Sequence, residues 1–265
     1  MNNLHRELAP ISDAAWAEIE EEAARTFKRN LAGRRVVDVH GPDGVGLASV
    51  ATGHRGAAVT TPDGVQARQR EVAHVVEFTV PFVLQREDVD DVERGSLDSD
   101  WQPVKDAAQQ LAFAEDRAVF SGFADGGIRG IAETTSNERM ALPADAREFP
   151  DVVAQGMTKL RLAGVEGPYH LVVSADAYTR LNETRDHGYP VYEQVSRQLE
   201  SRIVWAPAID GAVLLSTRGG DYDLHLGQDT SIGYQHHDDE SITLYLTESF
   251  TFRPLTDEAS VVFTA

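Results

Sequence analysis

LLSTRGGDYDLHLGQDTSIGY, Leu214 to Tyr234, is the stretch on which the fold of this 265-residue chain turns. It reads as short strands punctuated by Arg218-Gly219-Gly220-Asp221 and by Gly227-Gln228-Asp229. The glycines permit positive φ and tight turns, and the apolar residues between them are bounded as strands are. None of its polar residues has the spacing of a nucleophile or of metal ligands, so the run is architecture rather than chemistry.

On the C-terminal side, Ile242, Leu244, Leu246, Phe250 and Phe252 alternate with period two, as a strand with one buried face does. Glu248 falls on the same inward parity. A carboxylate there needs an ion partner or hydrogen-bond donors to offset its desolvation, and a structural arginine partner is favoured over a catalytic role. On the N-terminal side, residues from about 126 to 223 alternate helix and strand. Helices are expected at 152–162, 176–183 and 191–200, and strands at 169–173, 203–205 and 213–216.

Two further helices precede this unit. Ser12 is placed to cap the first, with Asp13 favourable in its first turn. Trp16, Ile19, Ala23, Phe27 and Leu31 form one apolar stripe, and Gly33 is the expected stop. Glu18, Glu21, Glu22, Arg25 and Lys28 should face water. The second helix, expected over 98–121, has Asp98, Ser99 and Asp100 as caps, Pro103 in its first turn and Gly122 at its end. Val104, Ala108, Leu111, Ala114 and Ala118, widened by Phe113 and Phe120, make it a buried spine.

Between the helices, residues 45–77 are strand-like, with a Pro62-Asp63-Gly64 turn between 57–61 and 65–68. Arg68, Arg70, Glu71 and Glu77 deprive this hairpin of a core of its own. A two-stranded ribbon is marginal in water unless something covers it. Residues 74–84 continue as strand, with Pro81 marking an edge or bend.

Composition narrows the function. A formal net charge of −19 repels phosphate backbones and argues against a nucleic-acid partner. Polybasic stretches and a long apolar run are both missing, which argues against a membrane anchor. MNNLHRELAP, at the N-terminus, lacks the apolar core of a signal peptide, so the cytoplasm is the expected compartment. The absence of cysteine excludes disulfides, thiolate catalysis and sulfur-ligated metals.

Enzyme-like motifs are weak. His236-His237-Asp238-Asp239-Glu240 is the one metal-like cluster, but neighbouring strand residues point to opposite faces, and the run reads as a solvated turn. Gly44 to Ser49 lacks the third glycine and following helix of a dinucleotide loop. No G-x-S-x-G is present, and Ser174 reads as a helix cap. We therefore expect no catalytic residue, no metal and no cofactor.

The run from Leu214 to Tyr234 resembles the C-terminal signature of the encapsulin shell proteins, also known as linocin-like bacteriocins. LAPIS (Leu8 to Ser12), Trp16, Phe27 and GRRVVDVHGPDG (Gly33 to Gly44) stand in that family's order. VERG (Val92 to Gly95), VFSG (Val119 to Gly122), GVEGPYHLVVS (Gly164 to Ser174) and ESFTF (Glu248 to Phe252) follow in sequence. The resemblance is closest to the actinobacterial, mycobacterial type. It implies an α+β fold of the phage major-capsid (Hong Kong) type. Residues 1–44 would form the N-terminal helix and first peripheral segment, 45–77 an extended loop, and 78–125 the peripheral domain with its spine helix. Residues 126–223 would form an axial domain, and 224–265 the closing strands of the peripheral domain.

The resemblance further implies an icosahedral homo-oligomer enclosing a cargo enzyme, which docks by a C-terminal targeting peptide. The usual cargo is a dye-decolorizing peroxidase, with ferritin-like proteins as another class, and haem or iron would belong to the cargo. Carried over residue by residue, the peptide site falls on Phe27, Leu31, Arg34 and Asp38, facing Asp229, Ile232 and Tyr234. The loop of His187, Gly188 and Tyr189 would line the fivefold pore. Flavin-binding relatives place an aromatic before ERG; Gln85 to Gly95 has none, so no flavin is carried over. A DNA-packaging phage capsid protein ranks second, because of the negative charge and the early first helix. A protease or bacteriocin, with no triad or cofactor loop to support it, ranks third. Export would require non-classical release.

Overall fold

A computed structural model of the chain describes residues 3 to 264. The first helix, Asp13–Asn30, is capped as the sequence predicts: the Ser12 hydroxyl accepts the Ala15 N–H at 3.2 Å. Its stripe of Trp16, Ile19, Ala23, Phe27 and Leu31 is buried throughout. Two expectations fail. The helix stops at Asn30, and Gly33 instead opens a short 3-10 turn, Gly33–Arg35. Glu22, assigned to the wet face, is buried, where its carboxylate accepts the Thr26 hydroxyl and pairs with Arg25.

The spine helix, Gln102–Phe120, lies against the first helix and starts later than expected. Asp100 accepts the Gln102 N–H at 2.9 Å, while Asp98 pairs with Ser96. Trp101 ties the two helices by donating to Glu18 at 3.1 Å. The spine buries more than its apolar stripe: Glu115 and Asp116 are fully buried with it. The helix Arg86–Glu93 has no counterpart among the sequence expectations, because its eight residues carry only two apolar positions, Val89 and Val92.

Both helices cover a sheet organised by one long strand, Ser241–Pro254. One of its edges carries Val76–Gln85 antiparallel. The other carries Ser231–His237 and then Tyr222–Leu226, with Asp38–His40 added in parallel outside the latter. Pro81 sits on the outer strand, as an edge proline should. Ile242, Leu244 and Leu246 meet Ile19, Val104, Ala108 and Leu111 in one apolar cluster.

A second sheet runs in the order Ile203–Trp205, Tyr169–Val173, Ala212–Ser216, Ser260–Thr264, Met140–Ala141. Phe149–Leu162, Ala175–Glu183 and Val191–Leu199 are its helices, close to the expected spans. Here the grouping of 224–265 into the first unit is corrected. Ser260–Thr264 pairs with Ala212–Ser216 and so belongs to the second sheet. The expected boundary at 223 also falls inside the strand Tyr222–Leu226. Leu214 to Tyr234 is the crossing between the sheets, and Gly219 and Gly220, at φ +88° and +82°, make the turn there.

Residues 49–74 stand apart. Ser49–Arg55 pairs with Arg70–His74, and the tip pairs Val59–Thr60 with Gln66–Ala67, all four tip residues being exposed. Among the described residues, no helix is long and apolar enough to cross a membrane.

One buried group makes stability pH-dependent. Asp116 accepts the N–H groups of Ala32 (2.9 Å) and Gly33 (2.7 Å), pinning the 3-10 turn to the spine. Burial outweighs these donors and pushes its pKa up to about 7. A pKa raised on folding gives stability that is present at low pH and lost as pH rises through that value. The thermal-midpoint difference between wild type and Asp116→Asn should therefore shrink or reverse in the direction of the variant from pH 5 to pH 8. A constant difference contradicts the assignment.

Candidate functional site

The end of the first helix and the start of Ser231–His237 enclose a groove of about 660 Å³. Phe27, Leu31, Arg34, Asp229 and Ile232, five of the seven residues carried over from the sequence, line it together. Ala23, Ala24 and Leu246 complete the apolar floor, while Lys28, Arg35 and Glu20 stand on its walls. Helical spacing explains one wall: positions 20, 23, 24, 27, 28 and 31 recur at three and four, so they share one face. Arg6, near one end, stacks over Trp16 at 4.1 Å and pairs with Glu20.

Arg34 is more than a groove residue. Its Nε donates to Glu115 at 2.9 Å, its Nη2 to Glu115 at 2.6 Å and to Glu248 at 3.0 Å, and its Nη1 to Asp229 at 2.7 Å. The guanidinium also lies 5.3 Å from the Phe27 ring centre. Glu115 and Glu248 are fully buried, whereas Asp229 is half exposed. Burial alone would lower the Arg34 pKa, but Glu115, Glu248 and Asp229 outweigh it and hold the guanidinium charged. Glu248 moves upward, first from burial and then from the adjacent Glu115, with Arg34 opposing. The arginine partner expected for Glu248 is thus Arg34.

Gly33 permits this arrangement by its size. A Cβ there would lie 3.1 Å from Asp116 Oδ1 and 3.4 Å from Val119. Neighbouring spine residues therefore hold the same turn, Asp116 by its backbone and Glu115 by the Arg34 side chain. Glu115 and Asp116 escaped the sequence reading because only apolar positions were used to define the spine's buried face.

Other carried-over residues lie elsewhere. Asp38 is outside the groove; its carboxylate accepts the Gly220 N–H at 2.5 Å and lines a separate small cavity with Ser216 and Tyr222. Tyr234 is half-buried beyond the groove, its N–H on the Leu4 carbonyl and its hydroxyl 2.6 Å from His237. His187 and Gly188, at φ 47° and 83°, form the turn of a tight hairpin, Arg185–Asp186 with Tyr189–Pro190. His187 is exposed, and Arg197 lies over the Tyr189 ring at 5.1 Å.

Of the run expected to be a turn, only Asp238 to Glu240 turns, with Asp238 accepting the Glu240 and Ser241 N–H groups; His236 and His237 are exposed residues ending the strand Ser231–His237. The reading of Leu214 to Tyr234 as free of ligand geometry needs correction. Asp223 and His225 converge with His40, their ligand atoms within 4.8 Å of one another. The signal was Asp-x-His, which places both side chains on one face of a strand, and it occurs twice, at Asp38-Val39-His40 and Asp223-Leu224-His225.

Residues 1–251 match the family described as "Encapsulating protein for peroxidase". A type 1 encapsulin shell protein of Rhodococcus erythropolis is 59% identical over 98% of this chain and 99% of its own length. One from Mycobacterium tuberculosis is 55% identical over 98% of each. Among solved structures, a virus-like particle from Pyrococcus furiosus aligns with TM-score 0.68 at 17% identity, covering 93% of this chain and 98% of its own. A chain of Mycobacterium phage Che8 aligns with TM-score 0.56 at 16% identity, covering 88% and 90%. These two likenesses establish the capsid-type fold. The sequence relatives are shell proteins rather than enzymes.

Removing Arg34 strands two buried carboxylates, whereas removing Asp229 frees a half-exposed one. Arg34→Met should cost about 3 kcal/mol of stability or more, as breaking a buried ion pair does. Asp229→Asn should cost under about 1 kcal/mol, as exposed pairs do. Denaturation midpoints at neutral pH measure both, and equal losses would contradict the buried-keystone role.

Proposed function

Because this chain belongs to the family of type 1 encapsulin shell proteins, we propose that its copies close into an icosahedral shell around a cargo enzyme. The observation that carries this reading is the ribbon over residues 49–74. Val59, Val65 and Val72 are exposed on it, and its tip has no core contact of its own. Two strands with so little burial are marginal by themselves. A neighbouring subunit that covers them supplies the missing partner, and the same contact repeated around the shell drives closure. The second sheet and its helices would form the axial domain, with His187, Gly188 and Tyr189 bordering the opening at the fivefold axis.

The groove is the cargo dock. Phe27, Leu31 and Ile232 offer an apolar trough for the aliphatic side chains of a short extended peptide. Lys28 and Arg35 stand beside it for the peptide's carbonyls or acidic groups. The family description supports a peroxidase as the enclosed enzyme. Each dock is weak alone, but many docks facing a multimeric cargo act together through effective concentration. Asp38 and Tyr234, lying outside the groove, act only on its supporting strands.

Two experiments test the two halves separately. Deleting residues 57–68 should leave folded subunits that elute as small species in size-exclusion chromatography; normal shells would overturn the ribbon's role. Ala24→Trp, at an exposed helical position in the groove wall, fills the trough without touching the core. Its shells should form normally and lose most co-purified cargo, and full loading would overturn the dock.

A further inference from the structure

Asp38–His40 and Tyr222–Leu226 are hydrogen-bonded parallel strands, and their register sets His40 directly opposite His225. Asp223, two residues before His225, shares its face. The His40 and His225 rings stack with centroids 4.6 Å apart and 22° between planes. His40 Nε2 lies 3.2 Å from Asp223 Oδ1, and His225 Nε2 lies 3.7 Å from Asp223 Oδ2. We infer that His40, Asp223 and His225 form a binding site for a divalent transition-metal ion of the zinc, copper or nickel class.

Two imidazoles and a carboxylate are the donor set that such ions prefer, whereas magnesium and calcium require oxygens. In a tetrahedral zinc site with bonds of about 2.0–2.1 Å, ligand atoms stand roughly 3.3–3.5 Å apart. The His40–Asp223 leg already meets that spacing, and the remaining legs close by under about 1.5 Å. His40 has the freedom to close them, since its side chain is 48% exposed, and that opening admits water as the fourth ligand. Asp223 and His225 are 12% and 15% exposed and sit on a strand paired on both sides, with Asp38–His40 and Ser241–Pro254, so the receiving half of the site is preorganised.

A cation already occupies this position. Arg253, on the adjacent strand, directs Nη2 to Asp223 Oδ2 at 2.7 Å and to His225 Nε2 at 3.1 Å. Arginine only donates hydrogen bonds, so the His225 Nε2 facing it carries a lone pair, as a metal ligand must. Arg253 also holds the Ala51 carbonyl through Nη1 at 2.9 Å. That second acceptor lets the side chain keep one partner when an ion displaces it from the first two. Arg253 is thus the internal competitor of the metal.

The test is zinc titration by calorimetry of the full-length protein at pH 7.5, and it does not depend on the shell reading. Wild type should bind one zinc per chain at this site. His40→Gln, a half-exposed position, should weaken binding tenfold or more without loss of fold, and His225→Gln should match it. Arg253→Gln should tighten binding threefold or more. The double variant His236→Gln with His237→Gln should bind as wild type does. With copper(II), electron paramagnetic resonance should show coupling to two imidazole nitrogens, reduced to one in His40→Gln. Failure of wild type to bind zinc, unchanged affinity in His40→Gln, or loss that follows His236 and His237 instead would each overturn the site.

Discussion

One guanidinium, that of Arg34, holds the first half of the chain to the second. It draws Glu115 of the spine helix, Glu248 of the longest strand and Asp229 of the signature stretch to a single point. These carboxylates come from segments more than eighty residues apart along the chain from Arg34. Unpaired, each buried acid would carry a large desolvation cost; paired, they fix the first helix, the spine and the sheet in one register. The groove exists because of that junction. Its apolar wall is the helix just before the turn that carries Arg34, and its far wall begins at the Asp229 that Arg34 holds. A site built on such a junction is preorganised, as the proposed docking of a short peptide would require.

The same economy explains what is left unpaired. The sheets and helices bury their apolar faces within the subunit, while the ribbon over residues 49–74 buries almost nothing. If the ribbon makes the proposed contacts between subunits, folding and assembly rest on different parts of the chain. Asp223, His225 and Arg253 sit where they meet, since Arg253 reaches from the sheet to Ala51 at the ribbon's base.

Much of this was legible in the sequence. Period-two and period-three-to-four patterns located the long strand, the first helix and the spine, because there burial and periodicity coincide. Arg86–Glu93 was not legible, being too short and too charged to show a stripe. Nor was the fate of Ser260–Thr264: a strand declares its faces in sequence but not its neighbour, and this one joins the second sheet. At the candidate site, Phe27, Leu31 and Ile232 were readable as apolar, and Arg34 and Asp229 entered through the family resemblance. Asp38 was misplaced because its partner is a backbone N–H at Gly220, which no side-chain pattern announces. Glu115 and Asp116 were missed because buried acids look like wet ones until their partners are in view.

Electron cryomicroscopy of the shell purified with its cargo tests the central claim most directly. The account requires closed shells in which a neighbouring subunit covers residues 57–68. It also requires the groove between Phe27, Leu31 and Ile232 to open on the inner wall, with density for a short extended peptide inside it. Dispersed subunits, or shells whose groove faces outward and stands clear of any peptide, would contradict it.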